Sequence, residues 1–167
     1  MLTSAEESYV EVTDNVISEI ADKMRQSDKD EVWASSRSTP HEAVVRSIYL
    51  SDWWAVVKSE DIVLGVVGVA EIPDDGMFPR AAPWFLGTDE VDTNPKAFVK
   101  AVKQIVVILS QRYSVLTNYV HAENEKAIRL LRHLGFKIKN TPDPVGAGGE
   151  LFYRFEKSNV QCANLQH

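Results

Sequence analysis

Two stretches in the second half of this 167-residue chain carry residue types and spacings that could hold a phosphate or an acidic partner. The stretch Gly87-Thr88-Asp89-Glu90-Val91-Asp92-Thr93-Asn94-Pro95 lies between an apolar run and a long helical pattern. Many α/β enzymes hold a phosphate at such a position, on backbone amides and a helix N-terminus. Here the stretch carries three acids and ends in proline. Downstream, Asn124 precedes Lys126, Arg129, Arg132 and His133, which fall at helical spacings of three and four. Such a stripe can hold a phosphate or an acidic partner, or be the solvated face opposite Ile128, Leu131 and Leu134. Other chemistries lack their residues. Val145-Gly146-Ala147-Gly148-Gly149 has no Lys-Ser/Thr ending and lies between two strand-like runs, so it is read as a flexible hairpin connection and not a P-loop. The histidines His41, His121, His133 and His167 show no zinc-ligand spacing, and there is no nucleophile-elbow pattern.

Composition narrows the classes further. With 44% hydrophobic and 25% charged residues, the chain can build one domain around one core. A net charge of −6 argues against general binding to nucleic acid or to a membrane surface. The single cysteine, Cys162, allows neither an intramolecular disulfide nor a cysteine metal cluster, which fits a reducing compartment. No apolar run approaches the roughly 20 residues that span a bilayer, so membrane insertion is not expected. The first residues, MLTSAEESYVEV, have neither a basic start nor an apolar stretch, and carry no visible export address.

These residues must be positioned by elements that the apolar pattern outlines. Ser8 to Val12 reads as a short strand, and Val16, Ile17, Ile20 and Met24 as the stripe of a first helix. The polar segment RQSDKDEVWASSR reads as a connection. Thr39-Pro40-His41-Glu42 then forms a capping box that opens a second helix through Tyr49. Trp53–Lys58 and Ile62–Ile72 read as an antiparallel hairpin in which Gly65 and Gly68 mark a bulge or a close backbone approach. Adjacent Trp53 and Trp54 must point to opposite sides of their strand. A further strand covers Ala82–Leu86. Pro95 opens a helix with Phe98, Ala101, Val102, Ile105 and Leu109 on one face, while Val106, Val107 and Ile108 widen its apolar surface toward a second packed side. Val115–Ala122 is strand-like, Asn124 caps another helix that Gly135 ends, and Phe136–Lys139 and Leu151–Lys157 close the pattern. The order predicts an α/β fold, a mixed sheet with helices on its faces, as a single domain over residues 1–157 with a polar tail over 158–167.

From Trp84 onward the residues WFLGTDEV, a helix, LTNYVHAENEKAIRLLRHLGF and a closing hairpin resemble the GNAT acetyltransferase fold, whose mixed, mostly antiparallel sheet is flanked by helices. Asn124-x-x-Ala127-Ile128-x-x-Leu131-x-x-Leu134-Gly135-Phe136 is similar to its second signature motif. Trp84, Thr88, Asp89, Asn118, Tyr119, Val120, Asn124, Leu134, Gly135 and Phe136 also resemble a bacteriophage branch that includes the internal virion protein A family of short-tailed phages.

The resemblance implies a site for acetyl-coenzyme A, with the pyrophosphate on amides of Leu86, Gly87 and Thr88. It also places Asn124 and Arg129 beside the coenzyme. The loop departs from the pattern: of the expected glycines only Gly87 stands, and Asp89, Glu90 and Asp92 would face the pyrophosphate. One like-charge pair at about 6 Å costs roughly 2–3 kcal/mol at an effective dielectric near 20. The same acids, Asn94 and Pro95 suit the start of a helix. Leu131 stands where many such enzymes carry the tyrosine that protonates the leaving thiolate. Glu71 is the candidate general base, His121 the second, and Tyr119 and Tyr153 are the hydroxyls left to replace the missing acid. Three readings follow. The first is a phage protein with a degenerate acetyl-CoA site, virion-associated or acting in assembly in the host cytoplasm and virion, with a phage or host protein as partner. The second is an active N-acetyltransferase acting on an amine of a small molecule or protein. The third is a small regulatory protein that binds a host factor through a sheet edge.

Overall fold

The computed structural model describes residues 13–73 and 76–159. The strand expected over 8–12, Cys162 and the last part of the polar tail lie outside the described residues. The first helix, α1 (Thr13–Asp22), leads to Met24, which is buried with Ile20 as the spacing predicts. The segment read as a connection is instead a helix, α2 (Gln26–Ser36). Its sequence, QSDKDEVWASS, has no apolar stripe, and Asp28, Val32 and Ala34 are its buried residues. Polar tertiary bonds hold it in place of a greasy face. Helix α3 (Pro40–Tyr49) carries the expected capping box: Thr39 Oγ1 accepts from Glu42 N at 3.3 Å and Glu42 Oε2 from Thr39 N at 2.8 Å.

Strands β1 (Trp53–Ser59) and β2 (Ile62–Ile72) form the expected hairpin, with the register shifting between Val57 and Lys58. The glycines of β2 answer to β3 (Arg80–Gly87), which pairs antiparallel with it. A Cβ on Gly65 would lie 2.3 Å from the Leu86 carbonyl oxygen, and one on Gly68 2.4 Å from the Trp84 ring. Both positions need the missing side chain for close approach. A single turn, α4 (Glu90–Thr93), follows in the acidic loop, then α5 (Pro95–Arg112), β4 (Val115–His121), α6 (Glu125–His133), β5 (Lys137–Ile138) and β6 (Phe152–Ser158). Gly135, at φ 88°, takes the left-handed conformation that ends α6.

The six strands form one sheet in the order β1-β2-β3-β4-β6-β5, antiparallel except where β3 meets β4. Phe98, Val102 and Leu109 of α5 and Ile128 of α6 pack with Val67, Leu116, Val120 and Phe155. Ile20, Met24 and Val44 pack with Val63, Val66 and Leu86 in a second cluster, so helices cover both faces. Val107 and Ile108, expected to meet a second packed side, are 57% and 61% exposed: α5 buries one face only. Trp54 packs against the second cluster while Trp53 stays exposed, as their alternation requires.

Candidate functional site

Among the described residues β3 and β4 are the one parallel pair, and their register runs for two steps, Arg80↔Val115 and Ala81↔Leu116. Beyond them the strands part. The gap opens into a cleft of about 680 Å³ with apolar walls that include Phe85, Phe98, Val102, Val120 and Leu130. In an ordinary sheet each strand would satisfy the other's inward backbone groups, so a parting of this kind leaves donors and acceptors that something else must meet.

Side chains of this chain meet them. Thr88 N donates to Leu64 O at 2.9 Å, which sets the alternation of β3 and turns the Gly87 amide toward β4. Asp28 Oδ2 accepts from Gly87 N at 2.6 Å. Across the cleft, Glu31 Oε2 accepts from His121 N at 3.1 Å and from Asn124 Nδ2 at 2.9 Å. Asn118 bridges the two strands lower down: its Nδ2 donates to Pro83 O at 3.0 Å and its Oδ1 accepts from Tyr119 N at 2.8 Å. At the mouth, Lys126 Nζ of α6 lies 3.2 Å from Asp92 Oδ2 of α4. Helix α2 therefore straddles the cleft, with one carboxylate on each lip.

The two carboxylates differ in company. Asp28 is buried and held by Arg25, whose Nη2 donates to Oδ1 at 2.9 Å and Nε to Oδ2 at 3.2 Å. Burial raises its carboxyl above the usual value, opposed by Arg25 and the Gly87 amide. Burial also pushes Glu31 up, to about 6, against the bonds from Asn124 and His121. No cation lies within ion-pair distance of Glu31 among the described residues.

The sequence-derived site residues divide between this cleft and elsewhere. Leu86 and Asn124 line it, and Gly87 meets it through the bond from its amide to Asp28. Thr88 is fully buried, with Oγ1 donating to Val63 O at 2.8 Å, and Asp89 N donates to Lys23 O at 2.9 Å. Asn124 Oδ1 caps α6 by accepting from Ala127 N at 3.2 Å. Asn94 makes no cap bond to α5; its Nδ2 turns back to Glu90 O at 3.0 Å. Leu131 and Tyr119 line the cleft. Arg129 does not: it lies 4.0 Å from Glu125 and lines a separate groove with Arg132, Lys139 and Tyr153. Glu71 stands six residues along β2 from Gly65, about 20 Å from the Gly87 end. It accepts from Tyr113 Oη at 3.0 Å and lies 3.6 Å from Arg112. Arg25, Asp28 and Glu31 are the site residues the sequence did not disclose.

A mixed sheet that parts between two parallel strands, with helices on both faces, is the GNAT acetyltransferase fold, and solved structures of that class superpose on this chain. A ribosomal-protein-alanine N-acetyltransferase from Brucella melitensis matches with a TM-score of 0.64 and 15% identity, covering 93% of this chain and 96% of its own. A chain of the NatC complex bound to Gag peptide and CoA matches at 0.63 and 13%, covering 89% and 93%. The IAA acetyltransferase from Bacillus cereus matches at 0.56 and 10%, covering 78% and 91%. At these identities the likeness is one of fold. Residues 79–141, from the start of β3 to just past β5, match a protein-family model described as bacteriophage T7, probable scaffold protein Gp13. No curated protein matches the chain.

Proposed function

We propose that this is a bacteriophage protein that keeps the GNAT fold without its coenzyme and acts in the virion or its assembly, as an internal virion protein or scaffold-like component. The observation that carries this reading is the occupancy of the amides at the cleft mouth. A pyrophosphate on the Gly87 amide would have to displace the Asp28 carboxylate, which Arg25 also holds. Thr88 and Asp89 already spend their amides on Leu64 and Lys23. An anion arriving there also meets Glu31, which has no cation partner among the described residues, while Arg25 and Lys126 are already paired with Asp28 and Asp92. The family likeness over residues 79–141 supports the phage assignment, and its partner is then another phage or host protein in the host cytoplasm or particle.

The second reading, an N-acetyltransferase acting on an amine of a small molecule or protein, draws on the retained cleft and on the CoA bound in the NatC structure. It needs the amides of Leu86 to Thr88 to be released, Asn124 and Arg129 to contact the coenzyme, and Glu71 to act from the far end of β2. The assembly reading is tested by quantifying this chain in purified phage particles. A fixed copy number per particle, or a fixed copy number in a precursor shell, is expected. Recovery in the soluble fraction alone would overturn the assembly role.

A further inference from the structure

The apolar pattern of α5 asks for cover on two sides, and the fold supplies one. Phe98, Val102, Val106 and Leu109 are buried against the sheet. Val107 and Ile108 remain in solvent on the outer face. The rest of that face is basic. Lys96, Lys100 and Lys103 are exposed and, with Val107 and Gln111, recur at spacings of three and four, so they form one stripe. From Lys96 to Ile108 it runs about 18 Å along the helix axis. None of the three lysines has an ion pair among the described residues. α5 contains no acidic residue, and its remaining cation, Arg112, lies 3.6 Å from Glu71. In a chain of net charge −6 the stripe is a local reversal of sign. It does not serve the helix itself, because Lys96 stands in the first turn, where a cation opposes the macrodipole.

We propose that the outer face of α5 docks an amphipathic helix of a partner protein, with acids of that helix on Lys96, Lys100 and Lys103 and its aliphatic side chains on Val107 and Ile108. The chemistry of the stripe decides among occupants. A second copy bound through the same face would set cations against cations, with no acid on either helix to separate them. A phosphate chain would meet the lysines but leave the branched aliphatics uncovered, and the net charge repels it at a distance. A helix with acids and aliphatics at the same period meets both parts. A contact one helix long is small, and its polar part lies in solvent, so it belongs with weak, salt-sensitive interfaces. The partner is the protein that the assembly reading requires, and the proposal rests on that reading for its setting.

The test uses acetylated and amidated alanine-rich peptides of about 18 residues, long enough to hold a helix. One carries three glutamates and two leucines along one face. A second has lysines in place of the glutamates, and a third spreads the acidic composition around the helix. Each is titrated into the full chain at low salt and followed by amide NMR. The one-faced acidic peptide should bind about tenfold more tightly than the scrambled one, and the lysine peptide most weakly, with the preference shrinking as salt rises. Shifts should centre on residues 96–111. The triple variant Lys96→Gln, Lys100→Gln and Lys103→Gln keeps helix-forming side chains and should lower the acidic peptide to the level of the scrambled one. Val107→Gln with Ile108→Gln should weaken the acidic peptide several-fold while its salt dependence persists. Equal binding of the one-faced and scrambled peptides, acidic-peptide binding unchanged in the triple variant, or no binding of any peptide would overturn the proposal. So would tighter binding of phosphatidylcholine–phosphatidylglycerol vesicles, or of a DNA duplex, that the triple variant loses, since the stripe would then serve a membrane or a nucleic acid. Counting the chain in phage particles is a separate readout. Peptide binding without the chain in particles sinks the assembly reading alone; the chain in particles without peptide binding sinks the α5 docking face alone.

Discussion

Asp28 and Glu31 stand three residues apart on α2 and do the same thing for the backbone. Each reaches a strand end across the cleft and accepts an amide that no neighbouring strand serves, Gly87 for one and His121 for the other. Asp28 does so inside a bidentate pair with Arg25; Glu31 does so with amides alone. The difference separates a closed structural contact from an open one. The first lip is neutralised within the fold, whereas the second keeps a carboxylate with no cation beside it among the described residues.

The largest effect expected from breaking this comparison is on the closed lip. Asp28→Ala leaves the Arg25 guanidinium and the Gly87 amide unpaired in a buried place, and should cost about 3–5 kcal/mol in chemical denaturation. A loss under about 1 kcal/mol would show that water replaces the carboxylate.

Glu31 sharpens the comparison through pH. Its folded value of about 6 lies above the ordinary 4.5, so the folded chain holds this proton more tightly than the unfolded one. The resulting stabilisation is complete below the unfolded value and is lost as pH rises through the folded one, a change of about 2 kcal/mol. Glu31→Gln cannot titrate there, so its stability relative to the native chain should rise by that amount across the interval. Parallel pH curves for the two proteins would contradict it.

Lower in the cleft, Asn118→Ala removes the bridge between Pro83 O and Tyr119 N and should cost about 1–2 kcal/mol, read as a fall in the denaturation midpoint. The smallest effect belongs to the mouth, where Lys126→Ala breaks an ion pair whose side chains are at least half in solvent. It should change stability by under about 0.5 kcal/mol.

The strands, α3, α5 and α6 were legible because their apolar residues recur at strand or helix period and their ends carry caps: Thr39 and Glu42, Pro95, Asn124 and Gly135. Helix α2 was not, because no apolar stripe defines it. The site suffered for the same reason. Gly87, Thr88 and Asn124 could be placed from the loop and the cap, but what meets them lies far away in sequence. Asp28 is 59 residues from Gly87 and Glu31 is 90 from His121. Two acids in a polar stretch read as solvated until tertiary structure brings strand ends to them. The acidic loop drew attention as the obstacle to a pyrophosphate, yet Asp92 is engaged with Lys126, and the carboxylate on the Gly87 amide comes from α2.

The central claim is that internal carboxylates hold the groups a coenzyme would need. Calorimetric titration of the purified chain with acetyl-CoA, at low and at moderate salt, tests it most directly. The account predicts no saturable heat up to millimolar ligand at either salt. Saturable micromolar binding would contradict it, and would mean that Asp28 leaves the Gly87 amide when a pyrophosphate arrives.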